Sequence, residues 1–151
     1  MAARVRILLG SKNDQDACQP ILDTLHEFGV EFDFYISSAH RKPEQTAHLA
    51  KDAQRNGIRV IIACAGMAAH LPGVVAAQTI LPVIGVPLSG SALQGVDALY
   101  SIAQMPPGVP VAAVAINGVK NAALLAIQIL ALQDEELREK LHEFKRQMAN
   151  S

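Results

Sequence analysis

Tryptophan is absent from this 151-residue chain, and only four Phe and two Tyr supply aromatic rings. A core must therefore be built from Ala, Val, Ile and Leu. Thirteen basic and fourteen acidic residues leave a net charge of −1, so the global basic footprint of a nucleic-acid binder is missing. Any anionic ligand must be held by local groups. The two cysteines, Cys18 and Cys64, are far apart and match neither a redox pair nor a zinc pattern. Cys64 lies in an apolar run and reads as a small core residue. The start, M-A-A-R-V-R, lacks the apolar stretch of a signal peptide. No run reaches the roughly 18 apolar residues of a membrane span. A reducing cytoplasm and no membrane partner are the expected setting.

Half of the residues are hydrophobic, which excludes disorder over most of the length. Short apolar runs alternate with helical spacing. Strands are expected at Val5–Leu9, Glu31–Ile36, Arg59–Ala65, Pro82–Val86 and Val111–Ile116. Helices are expected at Asp14–Phe28, Pro43–Asn56, Leu71 to about Thr79, Val96–Gln104, Val119–Leu132 and Asp134 to about Ala149. No repeat or linker divides residues 1–151, so one domain is expected. The alternation implies an α/β fold: a five-stranded parallel sheet with helices on both faces, three layers in all. Five strands suit the flavodoxin-like order 2-1-3-4-5, which brings the turns after the first three strands to one place.

Those three turns carry the chemistry. Ser37 to Arg41, S-S-A-H-R, offers hydroxyls, the imidazole of His40 and the guanidinium of Arg41 ahead of a helix that Pro43 can open. Gly10 to Asp14, G-S-K-N-D, sits where a strand feeds a helix N-terminus. Ser11 and Asp14 there either serve a phosphate-bearing ligand or cap the helix. In the third turn, Ala65 to Gly73, Gly66 permits close backbone approach and Ala68 leaves room. His70 either acts on a substrate or holds this loop. His26, His48 and His142 fall on helix surfaces and carry no assignment. No metal-ligand spacing, P-loop or G-x-G-x-x-G occurs, and a reaction needing proton movement and charge stabilisation fits best. The helix at Val119–Leu132 is apolar on nearly every side, which calls for a subunit interface or a shield from the terminal helix.

The ordered series G-S-K-N-D, S-A-H-R-K-P, A-A-H-L-P-G, L-P-V-I-G-V-P, S-I-A-Q-M-P-P-G-V-P-V-A and N-A-A-L-L-A resembles the N-carboxyaminoimidazole ribonucleotide mutase family of purine synthesis. The resemblance covers nearly the whole chain. It implies a flavodoxin-like subunit of a cytoplasmic homo-octamer, an isomerase acting on a small ribonucleotide with no cofactor and no metal. By the same motifs, Ser11, Asp14 and Arg41 would bind the ribonucleotide, with Arg41 at the phosphate end. His40 would be the general acid/base, with His70 as a second catalytic candidate. Ser38, Gly66, Ala68, His70 and Leu71 would line the pocket for the base and carboxylate. One departure stands out: Met67 occupies a position where the family usually has glycine. The segment A-I-N-G-V-K-N-A is also shorter than in many relatives. The related carboxylase, which uses free carbon dioxide, is the alternative. A flavin-binding electron carrier shares the fold class but needs stacking rings, and Tyr35 and Tyr100 stand in the wrong turns. A nucleotide-binding module without catalysis is the third reading.

Overall fold

The computed structural model describes residues 2–151, so Met1 lies outside the described residues. Five strands form one parallel sheet: β1 (Val5–Leu9), β2 (Phe32–Ile36), β3 (Val60–Gly66), β4 (Val83–Leu88) and β5 (Ala112–Ala113). Their order is β2-β1-β3-β4-β5, as expected. The helices are α1 (Gln15–Glu27), α2 (Pro43–Asp52), α3 (Leu71–Ala76), α4 (Val96–Ala103), α5 (Val119–Ala131) and α6 (Glu135–Ala149). None is long and apolar enough to cross a membrane.

Helices cover both faces. On one, Val5, Ile7, Leu9, Ile62 and Val86 meet α1 through Ile21 and Leu25 and α5 through Ala126 and Ile127. On the other, Leu8, Ile61 and Ala63 meet α2, α3 and α4 through Leu49, Val75 and Ile102. Gly85 of β4 allows α4 to come close: a Cβ there would stand 2.5 Å from Cγ2 of Ile102.

Besides α2, which stops at Asp52 rather than at the expected Asn56 and is followed by a separate 3₁₀ turn at Gln54–Asn56, three boundaries differ by more than one residue from the sequence reading. β4 continues through Pro87 to Leu88, because Leu88 still pairs with Gly66 of β3. The same proline shortens β5 from the expected Val111–Ile116 to two residues. The register sets Gly85 beside Ala113, and Val114 N–H donates to the Gly85 carbonyl at 3.2 Å. The next donor along that edge of β4 belongs to Pro87, which has none. The third difference is at α3, which stops at Ala76 rather than near Thr79.

The apolar α5 is covered within the chain. It packs against α1, β3, β4 and α6, leaving Lys120, Asn121 and Gln128 exposed. Shielding by the terminal helix thus accounts for its composition, and a subunit interface is not needed to bury it.

β1 contains one residue that its apolar look conceals. Arg6 is only 2% exposed. Its guanidinium grips Asp33 of β2 through Nε (3.0 Å) and Nη2 (2.9 Å), and donates from Nη1 to Asp52 (2.6 Å) and to the carbonyl of Leu49 (2.8 Å) in α2. Burial disfavours the charge, but the two carboxylates more than offset that and raise the pKa. Removing one partner of a buried ion pair typically costs about 3–5 kcal/mol. Arg6 therefore fastens α2 to the sheet, and α2 is the helix that Ser37–Arg41 leads into.

Candidate active site

The strand register places the three polar turns side by side. Leu9 stands opposite Ile36 of β2 and Cys64 of β3. Hydrogen bonds carry the ladder past the strand ends: Ser37 N–H donates to the Leu9 carbonyl (2.8 Å) and Gly10 N–H to the Cys64 carbonyl (3.1 Å).

In the first turn, Ser11 is extended, and its Oγ accepts from Asn13 N–H at 3.2 Å to cap a single 3₁₀ turn, Lys12–Asp14. Capping thus occupies Ser11 in part. Asp14 stands at the N-cap position of α1 but its carboxylate makes no capping bond. Loss of solvent raises the pKa of this half-buried carboxyl above that of a free aspartate.

In the second turn the two serines do different work. Ser37 is buried, and its hydroxyl lies 2.7 Å from that of Thr46 in α2. Thr46 donates to the carbonyl of Ser38 (3.3 Å), so Ser37 is the donor to Thr46. Ser37 braces the loop and has no free proton. Ser38 Oγ accepts from Arg41 N–H (3.1 Å) and, at a longer 3.4 Å, from Arg41 Nε. Among the described residues no carboxylate lies within ion-pair distance of Arg41. An exposed guanidinium with no protein counter-charge is suited to a phosphate or carboxylate.

The third turn brings His70 to His40. His40 Nε2 and His70 Nδ1 are 2.7 Å apart, thirty residues apart in sequence, with the rings edge-to-face at 85° and centroids 4.8 Å apart. One of these nitrogens must carry the shared proton. If it is His40, then His40 Nδ1 is a free acceptor and His70 Nε2 a donor; if it is His70, the outer roles exchange. A neutral pair thus always presents one outward donor and one outward acceptor. A proton entering at one end can leave at the other.

A cleft of about 750 Å³ joins the turns. All nine site residues expected from the sequence line it: Ser11, Asp14, Ser38, His40, Arg41, Gly66, Ala68, His70 and Leu71. Gly10, Asn13, Ala39, Ala65, Met67 and Gly90 line it too. Gly90 comes from the loop after β4, whose Gly/Ser composition beside β3 was the available signal. Below the cleft, Cys18 and Cys64 are fully buried; the neighbouring Cys18 and burial push the Cys64 thiol well up, so it stays protonated. Among the described residues no group of His, Cys, Asp or Glu is arranged to hold a metal ion.

Residues 4–151 match the family model described as AIR carboxylase. The chain is 52% identical over 147 residues to the N5-carboxyaminoimidazole ribonucleotide mutase of Saccharolobus solfataricus, covering 97% of this chain and 93% of that protein. It is also 52% identical over 140 residues to the phosphoribosylaminoimidazole carboxylase of Saccharomyces cerevisiae, covering 93% of this chain but 24% of that protein. The crystal structure of Treponema denticola PurE superposes with a TM-score of 0.88 at 31% identity, covering 98% of this chain and 92% of that one.

The raised carboxyl of Asp14 has a measurable effect. The folded protein holds this proton more tightly than the unfolded chain. Stability therefore falls as pH rises from the unfolded value, about 3.9, through the folded one, and the penalty is complete at neutral pH. Asp14→Asn removes it. The variant's thermal midpoint is expected to equal or exceed the parent's at neutral pH, with the advantage shrinking as pH falls through the folded value and gone below about pH 4. Scanning calorimetry across pH checks this, and a lower midpoint at neutral pH contradicts it.

Proposed function

The chain belongs to the AIR carboxylase family, and from that premise we propose that it is an isomerase of purine biosynthesis, moving the carboxylate of N5-carboxyaminoimidazole ribonucleotide from the exocyclic nitrogen to ring carbon four. The relative matched over nearly its whole length carries the mutase name, which favours isomerisation over capture of free carbon dioxide. The observation that carries the reading is the His40–His70 contact in a cleft that also holds an uncompensated guanidinium.

The reaction needs one proton delivered and one removed. Protonating the carbamate nitrogen lets the nitrogen–carbon bond break, leaving a neutral amine and carbon dioxide. The amine's electron pair, pushed through the ring, makes carbon four nucleophilic. It attacks the carbon dioxide, and loss of the hydrogen on carbon four restores the aromatic ring. With His70 holding the shared proton, His40 Nδ1 is the outward donor for the first step; having given its proton it is the acceptor for the last, and it takes the carbon-four proton back. His40 is the acid/base that faces the substrate and His70 is its partner. General acid/base catalysis of this kind contributes typically about 10² to 10⁴ in rate. Arg41 holds the phosphate; Ser11 and Asp14 hold the ribose end. Gly66, Ala68 and Leu71 form the small-walled pocket for the ring, with Ser38 keeping the Arg41 loop in shape.

Assembly is the second part of the proposal. Ile80 is 85% exposed, Leu93 and Tyr100 each 63% and Val96 43%. β5 is an edge strand whose two alanines are both exposed, with an unpaired outer side. The exposed apolar surface on and just before α4, the helix that contacts β5, together with the open strand edge is a hazard for a lone protomer. We propose that further copies cover it in a homo-octamer.

Two measurements test these readings. With the carboxylated ribonucleotide as substrate and labelled bicarbonate in solution, early product is expected to carry little label, since the carbon dioxide stays in the cleft. Heavy early labelling would support the carboxylase instead, and no turnover would end the assignment. Light scattering at micromolar concentration is expected to return eight chains, and a monomer mass would refute the assembly.

A further inference from the structure

At Met67 the backbone favours glycine, yet the residue carries a long side chain. Its φ is 56°, in the left-handed region. A residue with a Cβ gives up roughly 1–2 kcal/mol there, and glycine does not. Among the described residues only Gln94 and Asn117 share a positive φ without being glycine, and both also lie in loops that follow strands of this sheet. Asn117 is a type that tolerates the conformation, and its side chain is engaged: Oδ1 accepts from Ser89 N–H (3.1 Å) and Nδ2 donates to Ser89 Oγ (2.8 Å). Met67 has neither excuse. It is 64% exposed, so its thioether does not fill the core.

Its place in the cleft suggests what the side chain does. The other apolar residues lining the cleft are the small Ala39, Ala65 and Ala68, or Leu71, which is 2% exposed and built into the wall. Met67 is therefore the one long apolar side chain in the lining that is free to lie against a ligand. It stands on the loop that supplies Gly66 and His70, whereas Arg41 stands on another. Methionine has three rotatable bonds and a polarizable sulfur, and packs well on aromatic rings.

We infer that Met67 is a specificity-determining residue whose side chain closes over the heteroaromatic ring of the bound ribonucleotide. The identity of that ring rests on the function proposed above. Covering the ring also displaces water from the space in which carbon dioxide is released. Strain retained at a functional loop is the ordinary pattern when the strained residue serves the ligand and not the fold.

The test compares two probes by calorimetric titration of the parent, Met67→Gly and Met67→Leu. Aminoimidazole ribonucleotide has the ring; ribose 5-phosphate lacks it. Met67→Gly is expected to bind the ring-bearing probe roughly three- to tenfold more weakly and ribose 5-phosphate within about twofold of the parent. Met67→Leu is expected to recover most of the loss. The thermal midpoint of Met67→Gly is expected to be no lower than the parent's, because glycine adopts this backbone freely. Equal weakening of both probes, or of neither, overturns the proposal. So does a lower midpoint, or a smaller mass in light scattering, which would assign the side chain to folding or to a subunit contact. A parent that binds but does not isomerise refutes the proposed function, while the two-probe comparison still judges Met67.

Discussion

Everything at the site depends on the register of the first three strands at their carboxyl ends. Two backbone hydrogen bonds, from Ser37 to Leu9 and from Gly10 to Cys64, continue the parallel ladder beyond the strands. They fix the three turns against one another before any side chain is considered. Histidines thirty residues apart can then meet at 2.7 Å. A slip of one residue in either pairing would turn every side chain of a strand to the opposite face and part the two rings. The burial of β1, and of β3 up to Ala65, makes such a slip costly, since side chains on both faces have fixed places inside the protein. Arg6 adds a second restraint, tying β1 to β2 and to α2.

Polar groups and backbone strain sit on the same edge of the sheet. Asp14 is a carboxylate without a capping bond, and Arg41 is a cation without a carboxylate. Neither helps the free protein. The interior, by contrast, leaves no buried side-chain nitrogen or oxygen unpaired among the described residues. The cleft thus offers a ligand both a carboxylate and a guanidinium to complete.

The sequence made the order of elements legible because parallel strands covered on both faces are written as unbroken apolar runs such as Val-Ile-Ile-Ala-Cys-Ala. The site residues were legible because each sits in the turn after a strand, where the topology gathers ligand groups. Other features were hidden. Arg6 was lost inside an apolar strand, since its burial depends on Asp33 and Asp52, both distant in sequence. The shortening of β5 depends on a proline in the neighbouring strand. The composition of α5 spoke for burial without saying what buries it, and the cover is α6 together with α1. Ser37 and Ser38 are adjacent and chemically identical, and only the position of Thr46 makes one a brace and the other a loop ligand. Likewise His40 and His70 were separate candidates, and their direct contact is a fact of three dimensions.

That contact is the core of the account: two histidines acting as one proton-handling unit. The decisive measurement is turnover of the carboxylated ribonucleotide by His40→Asn, His70→Asn and the double variant. If the pair is a unit, each single change breaks it, and the double variant loses about as much as the worse single one. If the two losses multiply, the histidines act independently, and the paired mechanism is wrong.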